Sequence, residues 1–311
     1  MSDFTLSIII PTYNRPDLLE IALNSIENQE TTFSFEVIIQ DNSSNSKTEE
    51  KIANISKNYS FYLSYEKNQQ VLPPIDNWKR AIERASTEII KILWDDDWLE
   101  PSAIQTYMKS MVENNADAVI SAAYLVSKNK KYKIYNSNQK DLDAHYVVDS
   151  ITDLKTRLPL TPSCSIIKKE LILQAYSVNK NLINCNKKAM GLDFVMNYIG
   201  CFINGKKVIK NNEFLVNLYK SDDSITENSN KFILLGCYVS SAYNLGLNFN
   251  FKFSKKQLRN IRMLSYLLNK MNLKCFNYLP AGKISFLYLF NLIQNRISQK
   301  IKIYFSSFNI E

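Results

Sequence analysis

Apolar and polar positions along the first 230 residues alternate between two rhythms. Short Ile- and Val-rich runs stopped by turn residues read as buried strands, and stripes recurring every three or four positions read as helices. Leu6-Ser7-Ile8-Ile9-Ile10 is the first run, and Pro11 is expected to stop it. Pro16-Asp17 then opens a helix with apolar positions Leu18, Leu19, Ala22, Leu23 and Ile26. Further strands are expected at Phe35–Ile39, Phe61–Tyr65 and Glu88–Trp94, the last broken only by Lys91. Helices are expected at Thr48–Ser56 and at Trp78–Ala85, the second capped by Asn77. A helix at Pro101–Glu113 is followed by strands at Ala118–Ile120 and Ser163–Ile167, and a helix at Lys169–Ala175. Leu192–Ile199 reads as a helix with Asp193 in its first turn, and Lys207–Lys210 and Phe214–Tyr219 as two short strands. The alternation predicts an α/β fold, a mostly parallel central sheet flanked by helices on both faces. The polar stretch 127–150 predicts an excursion or flexible loop.

From about Phe232 the pattern becomes helical. Leu258, Ile261, Leu264, Leu267, Leu268 and Met271 form one apolar stripe, and Ile284–Ile303 is aromatic-rich and basic. Charge separates this region from the rest. The chain carries +8 overall, whereas residues 231–311 hold nine Lys, three Arg and one acid, a net +11 that leaves −3 on residues 1–230. The expected organisation is therefore a sheet domain over 1–230 and a basic helical region over 231–311. The stripe predicts packing on the core, and the scarcity of acids also suits an anionic membrane surface.

Absences narrow the function classes. All six glycines lie at or after Gly191, which removes the glycine-dependent dinucleotide fingerprint and the P-loop from the first 190 residues. His145 is the only histidine, so a histidine-based zinc site is excluded and His145 reads as a structural or surface residue. The five cysteines are widely spaced with no CxxC, as expected of reduced thiols. No apolar stretch approaches a membrane span, and Met1-Ser2-Asp3-Phe4 lacks the basic start of a signal peptide, so a cytoplasmic location is expected.

The candidate chemistry centres on Trp94-Asp95-Asp96-Asp97-Trp98, where the run from Glu88 stops in three carboxylates. The end of a central strand is where open α/β sheets place ligands. Adjacent carboxylates repel, and burial raises their pKa values. A divalent cation relieves that conflict, and carboxylate oxygens suit Mg²⁺ or Mn²⁺. A solvated acidic turn or helix N-cap accounts for the same residues.

Four segments in order resemble the family 2 glycosyltransferases of the GT-A fold, over roughly residues 5–225. These are Ser7-Ile8-Ile9-Ile10-Pro11-Thr12-Tyr13-Asn14-Arg15, Glu36–Ser44, Ile92–Pro101 and Leu192-Asp193. The resemblance implies a Rossmann-like GT-A domain in which Pro11, Thr12, Tyr13 and Arg15 line a nucleotide. Tyr13 would offer its ring face to the base and Asp41 would accept from a base N–H. It also implies Asp96 as the metal ligand, with Asp95 toward the donor ribose or the metal, Asp97 as a further acid at the metal, and Asp193 as general base. Departures from the family pattern are Trp94 in place of the first acid of its DXD motif and missing glycines near Gln70 and Thr87. The family's late His has its matching position near Ser221.

The resulting expectation is an inverting, Mn²⁺- or Mg²⁺-assisted transferase. It would move a sugar from a nucleotide-diphosphate donor, most simply UDP-linked, to a saccharide or lipid-linked saccharide in surface polysaccharide or lipooligosaccharide synthesis. It would sit peripherally on the inner face of the cell membrane through 231–311, with no nucleic acid as partner. A sugar-nucleotide nucleotidyltransferase shares the sheet and acids but wants a glycine-rich phosphate loop. A non-enzymatic binder acting through the basic tail leaves Asp41, the acidic triplet and Asp193 unexplained.

Overall fold

The computed structural model describes residues 4–127, 130–137, 139–152, 158–178, 191–220 and 231–270. Strand β1 (Leu6–Thr12) pairs in parallel with β2 (Phe35–Asp41) and β4 (Ile89–Ile92), and β2 pairs in parallel with β3 (Tyr62–Lys67). β1 runs through Pro11 rather than stopping there, and the register explains why. The Ile9 carbonyl faces β4 and accepts from Leu93 N, while the Thr12 carbonyl faces β2 and accepts from Asn42 N. Backbone groups alternate sides along a strand, so Pro11 faces the β4 side, where β4 has already ended and no N–H is needed.

The sheet continues beyond β4 with mixed polarity. Its order is β3-β2-β1-β4-β9-β6-β10-β5, where β9 (Ser165–Lys168) runs antiparallel to both β4 and β6 (Ala118–Ser127). The two strands expected near 207–219 are one, β10 (Val208–Tyr219), parallel to β6 with register shifts between Asn211 and Val216. The shifts loosen the apolar alternation locally, which is why the sequence pattern reads as two pieces. β5 (Trp98–Leu99) pairs with the end of β10 directly after the acidic turn. The stretch 127–150 is ordered in its described part. β7 (Lys130–Ile134) forms a hairpin with β6, β8 (Asp141–Leu142) pairs with β10, and helix α5 (Ala144–Thr152) buries Val147, Val148 and Ile151. Its polar composition reflects exposed β7, and the buried face of α5 is too short to dominate the pattern.

Successive strand residues face opposite ways, so the sheet builds two cores. Ile8, Ile10, Val37 and Ile39 meet α1 (Pro16–Glu27), α2 (Lys47–Ile55) and α4 (Ala103–Glu113) through Leu19, Leu23, Ile52, Tyr107 and Met108. Ile9, Ile38 and Ile90 meet α3 (Pro74–Arg84), α5, α6 (Lys169–Val178) and α7 (Leu192–Tyr198). Helix α4 starts at Ala103 rather than Pro101, whose carbonyl accepts from Glu30 N in the loop after α1. Asn77 lies inside α3 and is buried instead of capping it. It accepts from Asn68 Nδ2 at 2.7 Å and donates to the Gln40 carbonyl, in a polar network that ties α3 to β2.

Helices α8 (Lys231–Asn248) and α9 (Lys255–Lys270) pack on α5 and on each other. Val239, Ala242, Leu245, Ile261, Met263 and Leu264 belong to the same core as α5 and α7. Ile261 and Leu264 of the apolar stripe are thus buried. Leu267 and Leu268 side chains, Met271 and the segment 284–303 lie outside the described residues, as does Ser221. No helix among the described residues is long and apolar enough to cross a membrane.

Candidate active site

The carboxyl ends of β1, β2 and β4 converge on one edge, and three loops meet there. β1 releases Tyr13-Asn14-Arg15, β2 releases Asn42-Ser43-Ser44 and β4 releases the acidic turn. The Asn14 side chain bonds Ser44 and Asn45, and Asn14 N donates to Ser43 Oγ at 2.8 Å, which fastens the first two loops together. Asn14 has φ +56, a left-handed conformation that Asn tolerates because its short polar side chain bonds locally. Pro11 and Thr12 are buried in the strand, while Tyr13 is 49% exposed at the rim.

Asp95, Asp96 and Asp97 diverge. Asp95 turns toward β1, accepting from the Thr12 hydroxyl at 2.8 Å and from Tyr13 N at 3.3 Å. Asp97 turns toward the far end of the sheet, accepting from Tyr219 N at 3.2 Å. Asp96 is the most accessible of the three, and Arg15 Nη1 bridges it at 2.9 Å to Asp95 at 3.4 Å. Burial pushes the Asp95 carboxyl up to about 6, helped by repulsion from Asp96 and opposed by Arg15 and Thr12. Asp96 and Asp97 are raised by burial as well. Among the described residues no three His, Cys, Asp or Glu side chains gather as a ready-made metal cage. The donor set still fits Mg²⁺ or Mn²⁺. Its oxygens are hard, burial leaves the carboxylates short of positive charge, and Mg²⁺ commonly takes only one or two protein carboxylates beside substrate phosphates.

Trp94 packs on Trp78 of α3 with the rings tilted and their centroids 4.6 Å apart, and its backbone N–H donates to Ser163 Oγ. The side chain in place of the family's first acid is therefore an apolar packing element. Asp41 is fully buried. One oxygen accepts from Ser43 N at 2.7 Å and the other from the Tyr65 hydroxyl at 2.7 Å. This is the geometry of a turn cap, and the residue nearest the rim in this group is Tyr65.

Asp193 stands apart from the Arg15 cluster, in the first turn of α7. Its Oδ1 accepts from Gly191 N at 3.0 Å and Phe194 N at 2.9 Å. Burial pushes its carboxyl up to about 7 against these donors and against Tyr238 of α8. Tyr135 lies just past β7. Burial raises its phenol, and the Asp97 and Asp193 charges both add to that. Tyr135 has φ +62, where a non-glycine residue is held at a cost of roughly 1–3 kcal/mol.

Sequence reasoning missed Tyr135, Tyr238 and Lys91. Lys91 Nζ is buried in β4, donating to the Ser163 and Ser165 carbonyls and lying 4.8 Å from the Tyr107 ring centroid. The single charge inside an apolar run was its signal. Tyr135 and Tyr238 carry no such mark, because their neighbours come from distant segments.

A Rossmann-like sheet with a tyrosine rim, an arginine-bridged acidic turn and a separate buried carboxylate defines the class of protein. Residues 7–173, more than half of the chain, match the model of Glycosyl transferase family 2, and the chain belongs to that family. It is 38% identical over 112 residues to an abequosyltransferase, RfbV, of Salmonella typhimurium, covering 35% of this chain and 34% of that one. It is 34% identical over 114 residues to a GalNAc(5)-diNAcBac-PP-undecaprenol beta-1,3-glucosyltransferase of Campylobacter jejuni, covering 36% of each. The chain thus spans about a third of the length of these curated relatives. The crystal structure of S. aureus TarS 1-349 in complex with UDP superimposes with a TM-score of 0.56 at 15% identity, covering 88% of each chain. That likeness shows the GT-A fold.

Proposed function

We propose that the chain transfers a sugar from a UDP-linked donor to a hydroxyl of a saccharide or lipid-linked saccharide, with inversion, in surface polysaccharide or lipooligosaccharide synthesis. The observation that carries the reading is the Arg15–Asp95–Asp96 cluster beside exposed Tyr13, at the carboxyl ends of parallel strands. The names of the two relatives support a saccharide or lipid-linked acceptor, and a TarS complex with UDP-GlcNAc supports the donor class.

In this reading Tyr13 covers the base and Arg15 lies beside the diphosphate, with Pro11 and Thr12 shaping the strand end. Asp41 sets the β2 turn through Ser43 and Tyr65. Mn²⁺ or Mg²⁺ would be held by Asp96 with Asp95 beside it, Asp97 bracing the turn, and would supply charge that stabilises the departing nucleoside diphosphate. Asp193 takes the proton from the acceptor hydroxyl. The oxygen forms its bond to the anomeric carbon as the bond to the diphosphate breaks on the opposite face.

Thermal stability with UDP, GDP, CDP and dTDP, with and without Mn²⁺, tests the donor site. A ligand at 100 times its Kd adds about 2.7 kcal/mol. The expected result is stabilisation by UDP that requires Mn²⁺ and disappears in Asp96→Ala. No shift with any nucleotide would remove the basis for the reading.

A further inference from the structure

The acidic turn and the helix that carries Asp193 come from distant parts of the chain, and the segment 158–165 is bonded to both. This segment enters β9 through a short 3-10 turn, Pro162–Cys164. On the side of the acidic turn, Ser163 Oγ accepts from the backbone N–H of Trp94, the residue before Asp95, at 3.1 Å. Lys91 Nζ, from the strand that leads into that turn, donates to the Ser163 and Ser165 carbonyls. On the side of α7, Ser165 Oγ donates to Asn197 Oδ1 at 2.8 Å, and Asn197 Nδ2 donates to the Thr161 carbonyl at 3.1 Å. The Tyr198 hydroxyl donates to the Pro159 carbonyl at 2.7 Å. Asn197 lies one helical turn after Asp193 on α7. Before α7, Gly191 has φ +98, and its carbonyl accepts from Ser241 Oγ of α8 at 3.3 Å.

We propose that Ser163, Ser165 and Asn197 form a buried strut that sets the spacing between the acidic turn and Asp193, with Asn197 and Ser163 as positioning residues for transfer. The proposal rests on the reading of the acidic turn as the donor end and Asp193 as the base. Ser163, Ser165, Asn197, Tyr198 and Lys91 are all exposed by 1% or less. Apolar packing of such a joint would tolerate small slides, whereas satisfied buried hydrogen bonds select one arrangement. Transfer needs that selection. The acceptor oxygen must be deprotonated on one face of the anomeric carbon while the diphosphate leaves from the other, and a misplacement of about 1 Å costs up to ~10² in rate.

The test compares the full chain as wild type, Ser163→Ala, Asn197→Ala and the double variant, by amide hydrogen exchange and by steady-state transfer. Ser165→Ala, which removes a single hydroxyl from the middle of the path, takes the place of Asn197→Ala if that variant fails to fold. Asn197→Ala is expected to speed exchange in α7 and also at Trp94 and the acidic turn, although the path between them runs through Ser165 and Ser163. Ser163→Ala is expected to do the same in reverse. Each variant is expected to lower kcat about tenfold while changing the donor KM and the affinity for UDP with Mn²⁺ by less than about twofold. The double variant is expected to match the slower single one, because either substitution cuts the same path. Faster exchange confined to the substituted side would overturn the proposal, as would coupled exchange with an unchanged kcat or losses that multiply in the double variant. The exchange measurement needs no substrate, so failure of the strut shows there, whereas failure of the base reading shows as transfer surviving in Asp193→Asn.

Discussion

Asp193 and Lys91 show how far burial changes a side chain's chemistry. A carboxylate with its pKa near 7 is matched to accepting a proton at neutral pH, whereas an ordinary Asp is too weak a base. With Asp193 as the proposed base the ionised form is the active one, and since burial raises its pKa, transfer is expected to rise with pH and level off above about 7. Asp193→Asn is expected to lower transfer by ~10²–10⁴ while leaving nucleotide-induced stabilisation intact. Survival of transfer in that variant would assign the base elsewhere. At Lys91, burial lowers the amine to about 7, yet its Nζ satisfies the Ser163 and Ser165 carbonyls at the start of β9. Lys91→Met is expected to lose roughly 1–3 kcal/mol in urea unfolding, because those carbonyls then lack a donor.

At the scale of elements, the site depends on where strands end and on what clamps the loops that follow. β1 outlasts β4 on the β2 side, so Thr12 comes beside the Asp95 carboxylate. The turn before α7 depends on Gly191 in the same way. Gly191→Ala is expected to destabilise the chain by about 1–2 kcal/mol or more, from the left-handed backbone alone plus the clash with Ser241. It should also lower transfer, because the Gly191 N–H is one of the Asp193 donors. Circular dichroism melts alongside rate measurements separate the two effects.

For the whole molecule, the question is whether 231–311 is removable. Val239, Ala242, Leu245, Ile261 and Leu264 lie in the core shared with α5 and α7. Truncation after residue 230 is therefore expected to give insoluble protein, whereas truncation after residue 270 keeps the buried helices. The residues beyond 270 carry five Lys and Arg against Glu311 alone. If they hold the protein on anionic membranes, the 1–270 protein should stay folded and lose co-sedimentation with phosphatidylglycerol vesicles. Equal sedimentation of both forms would put any membrane contact elsewhere.

The sheet, the order of its first strands and the acidic turn were readable because each rests on local signals. These are Ile runs with period two, Pro16 at a helix start and three carboxylates at a strand end. The unbroken β10, the elements β7, β8 and α5 and the buried Asn77 were not, since a bulge, an exposed hairpin and a side-chain network leave no regular period. The sequence alone singled out the candidate residues Tyr13, Arg15, Asp95, Asp96 and Asp193. Only the tertiary structure decided how they are held. It turned Asp41 inward onto Ser43 and Tyr65, drew the three carboxylates apart, and packed α8 against the turn that carries Asp193. Those arrangements depend on packing between segments distant in the chain, and such contacts leave no periodic trace in the order of residues.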